Sequence, residues 1–134
     1  MDWQPLVDAA RAARERAYAP YSGYTVGAAL LAEDGSIHAA GNVENGIPAL
    51  GVCAERAAVA AAVNAGGRKL RALAVVTESS PPARPCGVCR QTLAEFAGDD
   101  LPVLCFNGAG EREETTLGEL LPSPFRFAEL RGDS

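Results

Sequence analysis

The chain is poor in the residues that most often build polar catalytic sites: among 134 positions there is one histidine, one tryptophan and one methionine. The lone imidazole, His38, alternates within an apolar segment and has no obvious partner, so it reads as sheet packing rather than as a ligand. Basic runs are equally scarce. Lys and Arg total 12 against 17 Asp and Glu, for a net charge of −5, and the only adjacent basic pair is Arg68-Lys69. A protein that holds a nucleic acid strand shows a basic footprint, because phosphate neutralisation supplies much of the affinity. A small, neutral substrate is expected instead, with no nucleic-acid and no membrane partner. No apolar run approaches the ~18–20 residues of a membrane span. Met1-Asp2-Trp3-Gln4-Pro5 lacks a basic region leading into an apolar stretch, so a cytoplasmic location with reduced cysteines is expected.

What is present describes a globular chain. Hydrophobic residues make up 48% and charged residues 22%, with ordinary Gly and Pro counts. That length matches one domain, 1–134, with a core that needs no disulfides.

Local patterns give the element order. Asp2 to Ala17 places Leu6, Ala10, Ala13 and Ala17 on one helical face and stops before Pro20. Tyr24–Leu31 and Ile37–Val43 flank the turn residues Glu33-Asp34-Gly35-Ser36 and predict a hairpin. After the irregular Asn45–Gly51, a helix is predicted from Cys53 to Ala65, where Gly66-Gly67 ends it. Leu70–Thr77 is a strand buried on both faces, and a proline-rich loop then delivers Cys86. Val88–Phe96 is a further helix, Leu101–Phe106 a fourth strand and Glu113–Thr116 a short fifth. A brief helix at Leu117–Leu121 precedes the Pro122–Phe125 turn and a polar tail. Strand–helix–strand units after an antiparallel hairpin imply a three-layer α/β/α fold with a mixed sheet.

The chemistry gathers in Cys53-Ala54-Glu55-Arg56 and Pro85-Cys86-Gly87-Val88-Cys89. Both clusters fall at predicted helix N-termini, where unpaired N–H groups and the helix dipole stabilise thiolates, the metal-binding form. A structural zinc site usually takes four protein ligands. The fourth cysteine, Cys105, lies in the apolar strand LPVLCF and reads as a buried, inert thiol. Cys53, Cys86 and Cys89 therefore read as a three-thiolate zinc site with an open fourth position. Glu55 follows a ligand by two residues, where its carboxylate can move a proton between water and substrate. Three thiolates leave zinc near −1, and Arg56, with Arg90 as a weaker candidate, can hydrogen-bond sulfur and withdraw that charge.

C-A-E-R followed by P-C-G-V-C-R-Q resembles the signature of the cytidine deaminase family. The likeness continues through Tyr18-Ala-Pro-Tyr-Ser22, Val26-Gly-Ala-Ala-Leu30, Gly41-Asn-Val-Glu-Asn45 and Glu119-Leu-Leu-Pro122 with Phe125, so it runs from about Tyr18 to Leu130. The resemblance implies a mixed five-stranded sheet between helices, one Zn²⁺ per subunit, a homotetramer, and hydrolytic deamination of cytidine and 2′-deoxycytidine. It also implies that Asn42 and Glu44 bind the ribose hydroxyls, that Tyr24 and Ala54 line the base site, and that Phe125 stacks on the base, supplied across a subunit interface. Two positions depart from the family. Tyr24 replaces a phenylalanine, and Gly46-Ile47-Pro48-Ala49 has Pro48 where a tyrosine reaches a neighbouring site. Both changes touch the walls of the pocket, which keeps open a deaminase of a modified cytosine nucleoside, of the blasticidin type. An editing deaminase acting on RNA or DNA is disfavoured by the acidic balance, and a catalytically silent zinc scaffold by Glu55.

Overall fold

Alternation along the strands decides which helix covers which face of the sheet. The computed structural model describes residues 1–130. Its strands are β1 (Gly27–Ala32), β2 (Ile37–Gly41), β3 (Leu70–Thr77), β4 (Pro102–Asn107) and β5 (Arg112–Thr116), in the spatial order β2-β1-β3-β4-β5. Only β3 and β4 pair in parallel; the other three pairings are antiparallel. Along β3, Ala72, Ala74 and Val76 face one side, with Leu104 and Phe106 of β4 beside them. Helix α1 (Gln4–Glu15) covers that side with Leu6, Val7 and Ala10. Leu73 and Val75 face the other side and meet Ala54, Ala58 and Ala62 of α2 (Ala54–Asn64) and Leu93 of α3 (Gly87–Phe96). The result is the three-layer arrangement expected, with a mixed five-stranded sheet.

Close approach of α1 explains two glycines. A Cβ on Gly27 would lie 2.0 Å from the Ala10 carbonyl oxygen, and one on Gly41 would lie 2.6 Å from that of Ala13. Backbone cannot give way as a flexible side chain does, so the helix rests on the strands themselves. Gly27→Ala is expected to destabilise the chain by ~3 kcal/mol or more, the upper range of overpacking. Denaturant unfolding against Gly108→Ala, where an added Cβ meets nothing within 4 Å, checks this; equal midpoints would contradict it.

Several boundaries differ from expectation for identifiable reasons. The first helix is shorter than Asp2–Ala17: it begins with Pro5 in its first turn and ends at Glu15. Strand β1 starts at Gly27, not Tyr24, because Asn42 takes over the ladder positions before it. The Val26 N–H donates to Asn42 Oδ1 at 2.8 Å, and Asn42 Nδ2 donates to the Tyr24 carbonyl at 3.0 Å. The irregular segment holds a single 3₁₀ turn, Pro48–Leu50. After the short α4 (Leu117–Leu120), the predicted polar tail carries one further turn, α5 (Phe127–Leu130), and its last four residues lie outside the described ones. No helix among the described residues is long and apolar enough to cross a membrane.

Candidate metal centre and the cavity beside it

Two helices deliver the sulfurs. Cys53 is the N-cap of α2 and Cys86 the N-cap of α3; both have extended backbone and neither side chain caps its helix. A cysteine there forgoes the ~1 kcal/mol of a Ser or Asp cap but leaves its sulfur free to point at the other helix. Cys89 lies one turn into α3 and is fully buried. The three Sγ atoms lie within 4.8 Å of one another. Sulfurs around a tetrahedral zinc with bonds of ~2.3 Å stand about 3.8 Å apart, close to the 3.5 Å between Cys86 and Cys89. Cys105 is buried in β4 and is not a member of the group; burial pushes its thiol up to about 11.

Electrostatics differ sharply between the sulfurs. Burial raises the Cys89 thiol well above its ordinary value, and the charges of Glu55 and Cys53 push the same way. For Cys86 burial also pulls upward, but the N–H groups of Cys89 and Val88 and the neighbouring thiols outweigh it and lower the thiol. A divalent cation reverses the sign at Cys89, since a coordinating thiol is deprotonated outright. Arg56 carries the second indication. Its Nη2 donates to the Gly51 carbonyl at 3.0 Å, while its buried Nε has no hydrogen-bond partner among the described residues. An orphaned buried N–H costs ~1–3 kcal/mol, and a thiolate is an acceptor of the kind this one lacks. The donor set and the orphaned guanidinium nitrogen thus fit zinc.

Arg90 behaves differently from the sequence expectation. It follows Cys89 in the chain, yet its Nε donates to the Pro85 carbonyl at 2.7 Å and its Nη1 to that of Leu120 at 2.7 Å. It ties the loop before Cys86 to the end of α4 and does not serve the sulfurs through those atoms.

Beside the sulfurs opens a cavity of about 510 Å³, within the ~300–1,000 Å³ of small-molecule sites. Cys53, Ala54, Glu55, Arg56 and Cys86 line one end. Glu55 is only 6% exposed. Burial raises its carboxyl above the ordinary value, against the opposing pull of its own N–H, a hydrogen bond to Cys89 and the charge of Arg56. A carboxyl shifted upward in this way holds a proton more readily than an ordinary one, a property suited to proton transfer. Asn42, Glu44 and Tyr24 line the other end. Two-residue spacing puts Asn42 and Glu44 on one side of an extended segment. That segment is held between Tyr18 and Val52: the Tyr18 N–H donates to the Asn42 carbonyl and the Val52 N–H to that of Val43, each at 2.8 Å.

Both polar residues already carry partners. Glu44 accepts from the Tyr21 and Ser22 N–H groups at 3.0 and 3.1 Å and from the Ser22 hydroxyl. The hydroxyl, followed by the N–H of Ser22, outweighs desolvation and holds its carboxyl below the ordinary range. A carboxylate has about four acceptor positions, so capacity for a further hydroxyl remains.

Phe125 is not brought to this cavity by its own chain. It is 63% exposed, and its carbonyl accepts from Gln91 Nε2 at 2.7 Å. Thr77, Ala83 and Arg84 line the wall and were not picked out from sequence. The available signal was positional: ligands gather beyond the carboxyl ends of strands in open α/β sheets; Thr77 ends β3, and Ala83 and Arg84 follow it.

Comparison with known proteins agrees with this geometry. Residues 2–105 match the model of the cytidine and deoxycytidylate deaminase zinc-binding region. The chain is 48% identical over 130 residues to a cytidine deaminase of Sporosarcina psychrophila, covering 97% of this chain and 96% of that one. The crystal structure of cytidine deaminase from Burkholderia pseudomallei superposes with a TM-score of 0.89 at 46% identity, over 93% of this chain and all of that one. A blasticidin-S deaminase of Bacillus cereus is 31% identical over 105 residues, 72% of this chain and 74% of the other.

Proposed function

As this chain belongs to the cytidine and deoxycytidylate deaminase family, we propose that it is the enzyme that hydrolyses cytidine and 2′-deoxycytidine to uridine and 2′-deoxyuridine, releasing ammonia. The single observation that carries the reading is the buried carboxyl of Glu55 beside three clustered sulfurs, at one end of a cavity whose other end holds an amide and a carboxylate.

Cys53, Cys86 and Cys89 would hold the zinc, which when bound would supply the acidity that makes water a nucleophile at neutral pH. Glu55 takes a proton from the attacking water on its carboxylate and passes it to N3 of the cytosine ring. It then carries the second proton to the 4-amino group, which leaves as ammonia. Arg56 offsets the charge of three thiolates through its buried Nε. Asn42 and Glu44 bind the sugar hydroxyls, the amide offering donor and acceptor and the carboxylate accepting. The cavity wall at Tyr24 and Ala54 holds the base.

The whole chain, 1–134, acts as one domain. A homotetramer completes the site, with Phe125 of a neighbouring copy stacking on the base. Supporting this, Phe125, Ile47 and Leu50 are each at least 60% exposed, an apolar surface that a second copy can cover. A cytoplasmic role in pyrimidine salvage follows from the free nucleoside substrate and the reduced thiols. Ammonia release together with the ultraviolet change on cytidine, using zinc-loaded protein, tests the reaction; no turnover of any cytosine nucleoside refutes it. Pro48 and Ala49 in the cavity wall favour a second reading, a modified cytosine nucleoside as preferred substrate. Side-by-side kcat/KM values for cytidine and blasticidin-type compounds decide between the two.

A further inference from the structure

Tyr24 stands at the cavity wall where the family pattern has a phenylalanine, and its extra oxygen is not left free. The Tyr24 hydroxyl lies 2.6 Å from Ser79 Oγ, across fifty-five positions of sequence. Ser79 is itself a fixed point. Its carbonyl accepts from Asn107 Nδ2 at 3.0 Å, and Asn107 is a buried residue at the end of β4. Asn107 in turn is locked by the N–H groups of Ala109 and Glu111, at 3.0 and 3.1 Å. The hydroxyl pair thus ties the loop before β1 to the loop after β3 through an anchor that does not depend on substrate.

On the other side, the backbone of Tyr24 bonds one member of the diol receptor directly and reaches the other through Ser22. Its carbonyl accepts from Asn42 Nδ2 at 3.0 Å. Its N–H donates to Ser22 Oγ at 2.9 Å, and that hydroxyl donates to Glu44. Movement of Tyr24 is therefore movement of Asn42 and Glu44 together. We infer that the Tyr24–Ser79 hydroxyl pair is a positioning clip, which sets the Asn42 and Glu44 side chains for the sugar hydroxyls of the nucleoside. The inference rests on the deaminase reading above. Tyr24 is a positioning residue in this role, acting through Asn42 and Glu44 and not on the reacting atoms.

The test is a cycle of Tyr24→Phe, Ser79→Ala and the double variant, with kcat/KM measured for cytidine and for 2′,3′-dideoxycytidine, which lacks the 2′- and 3′-hydroxyls. Each single variant is expected to lower the cytidine-to-dideoxycytidine ratio roughly 3–10-fold, the scale of one hydrogen bond. For Ser79→Ala, which lies outside the cavity lining, the loss falls in KM for cytidine, with kcat held within about twofold. The double variant should be no worse than the worse single, since removing both partners leaves no orphan. An unchanged ratio, equal losses on both nucleosides, or additive losses in the double variant would overturn the clip. Calorimetric binding of uridine and 2′,3′-dideoxyuridine separates this failure from failure of the deaminase reading. If the wild-type chain deaminates nothing, that reading falls, yet selective loss of uridine affinity in Tyr24→Phe still upholds the clip, and equal affinity in wild type and variant still overturns it.

Discussion

Glu55→Gln is expected to keep its zinc and lose about 10²–10⁴-fold in kcat, the range for a positioned proton-transfer group. The amide has the shape of the carboxyl but cannot take a proton from water or hand one to N3. Its fold should not suffer. Glu55 is nearly inaccessible, and burial raises its carboxyl above the ordinary value. The sign is that of a raised acid: any stability from its neutral form is present below the unfolded value and lost as pH rises through the folded one. A neutral amide carries no buried charge at any pH, so the variant melts no lower than wild type. Metal analysis, steady-state kinetics and thermal unfolding on the same preparation check all three parts. Wild-type turnover in a zinc-loaded variant would remove Glu55 from the mechanism.

Metal removal has the other large effect. Dialysis against a strong chelator is expected to abolish turnover, and stoichiometric zinc to restore it. The unfolding midpoint should fall as well, because Cys53 and Cys86 start their helices without a side-chain cap. A ligand that binds only the native state stabilises it by roughly 4 kcal/mol at a thousandfold excess over Kd. The Cys89 thiol, buried and raised by burial and by the Glu55 charge, is the ligand whose deprotonation depends most on the cation. Turnover persisting after the metal content has fallen to zero would contradict the assignment of Cys53, Cys86 and Cys89.

Local chemistry made much of this readable in advance. The run Leu70–Thr77 is apolar because both faces are covered, and β3 has those bounds. The spacing of Cys86 and Cys89 places both sulfurs on one side of the first turn of α3, which needs only helix periodicity to foresee. Other features depend on groups that meet only in three dimensions. The onset of β1 moved because the Asn42 side chain, beyond the hairpin, takes the hydrogen bonds of Tyr24 and Val26. Arg90 turns to backbone carbonyls because its partners include that of Leu120, thirty residues away. Phe125 carries the family pattern but sits outside its own chain's cavity, and only the family resemblance, not the local pattern, pointed beyond the single chain.

The alternation of β3 has a consequence for how substitutions divide. Ala72, Ala74 and Val76 touch only the α1 side, whereas Val75 and Thr77 line the cavity. In a saturation scan scored for both abundance and turnover, the two scores should fall together at the even positions. At Val75 and Thr77 turnover per folded molecule should drop on its own account. Plotted along the strand, activity normalised to abundance would then rise and fall with a period of two, and one strand would carry separate records of folding and of catalysis on its two faces.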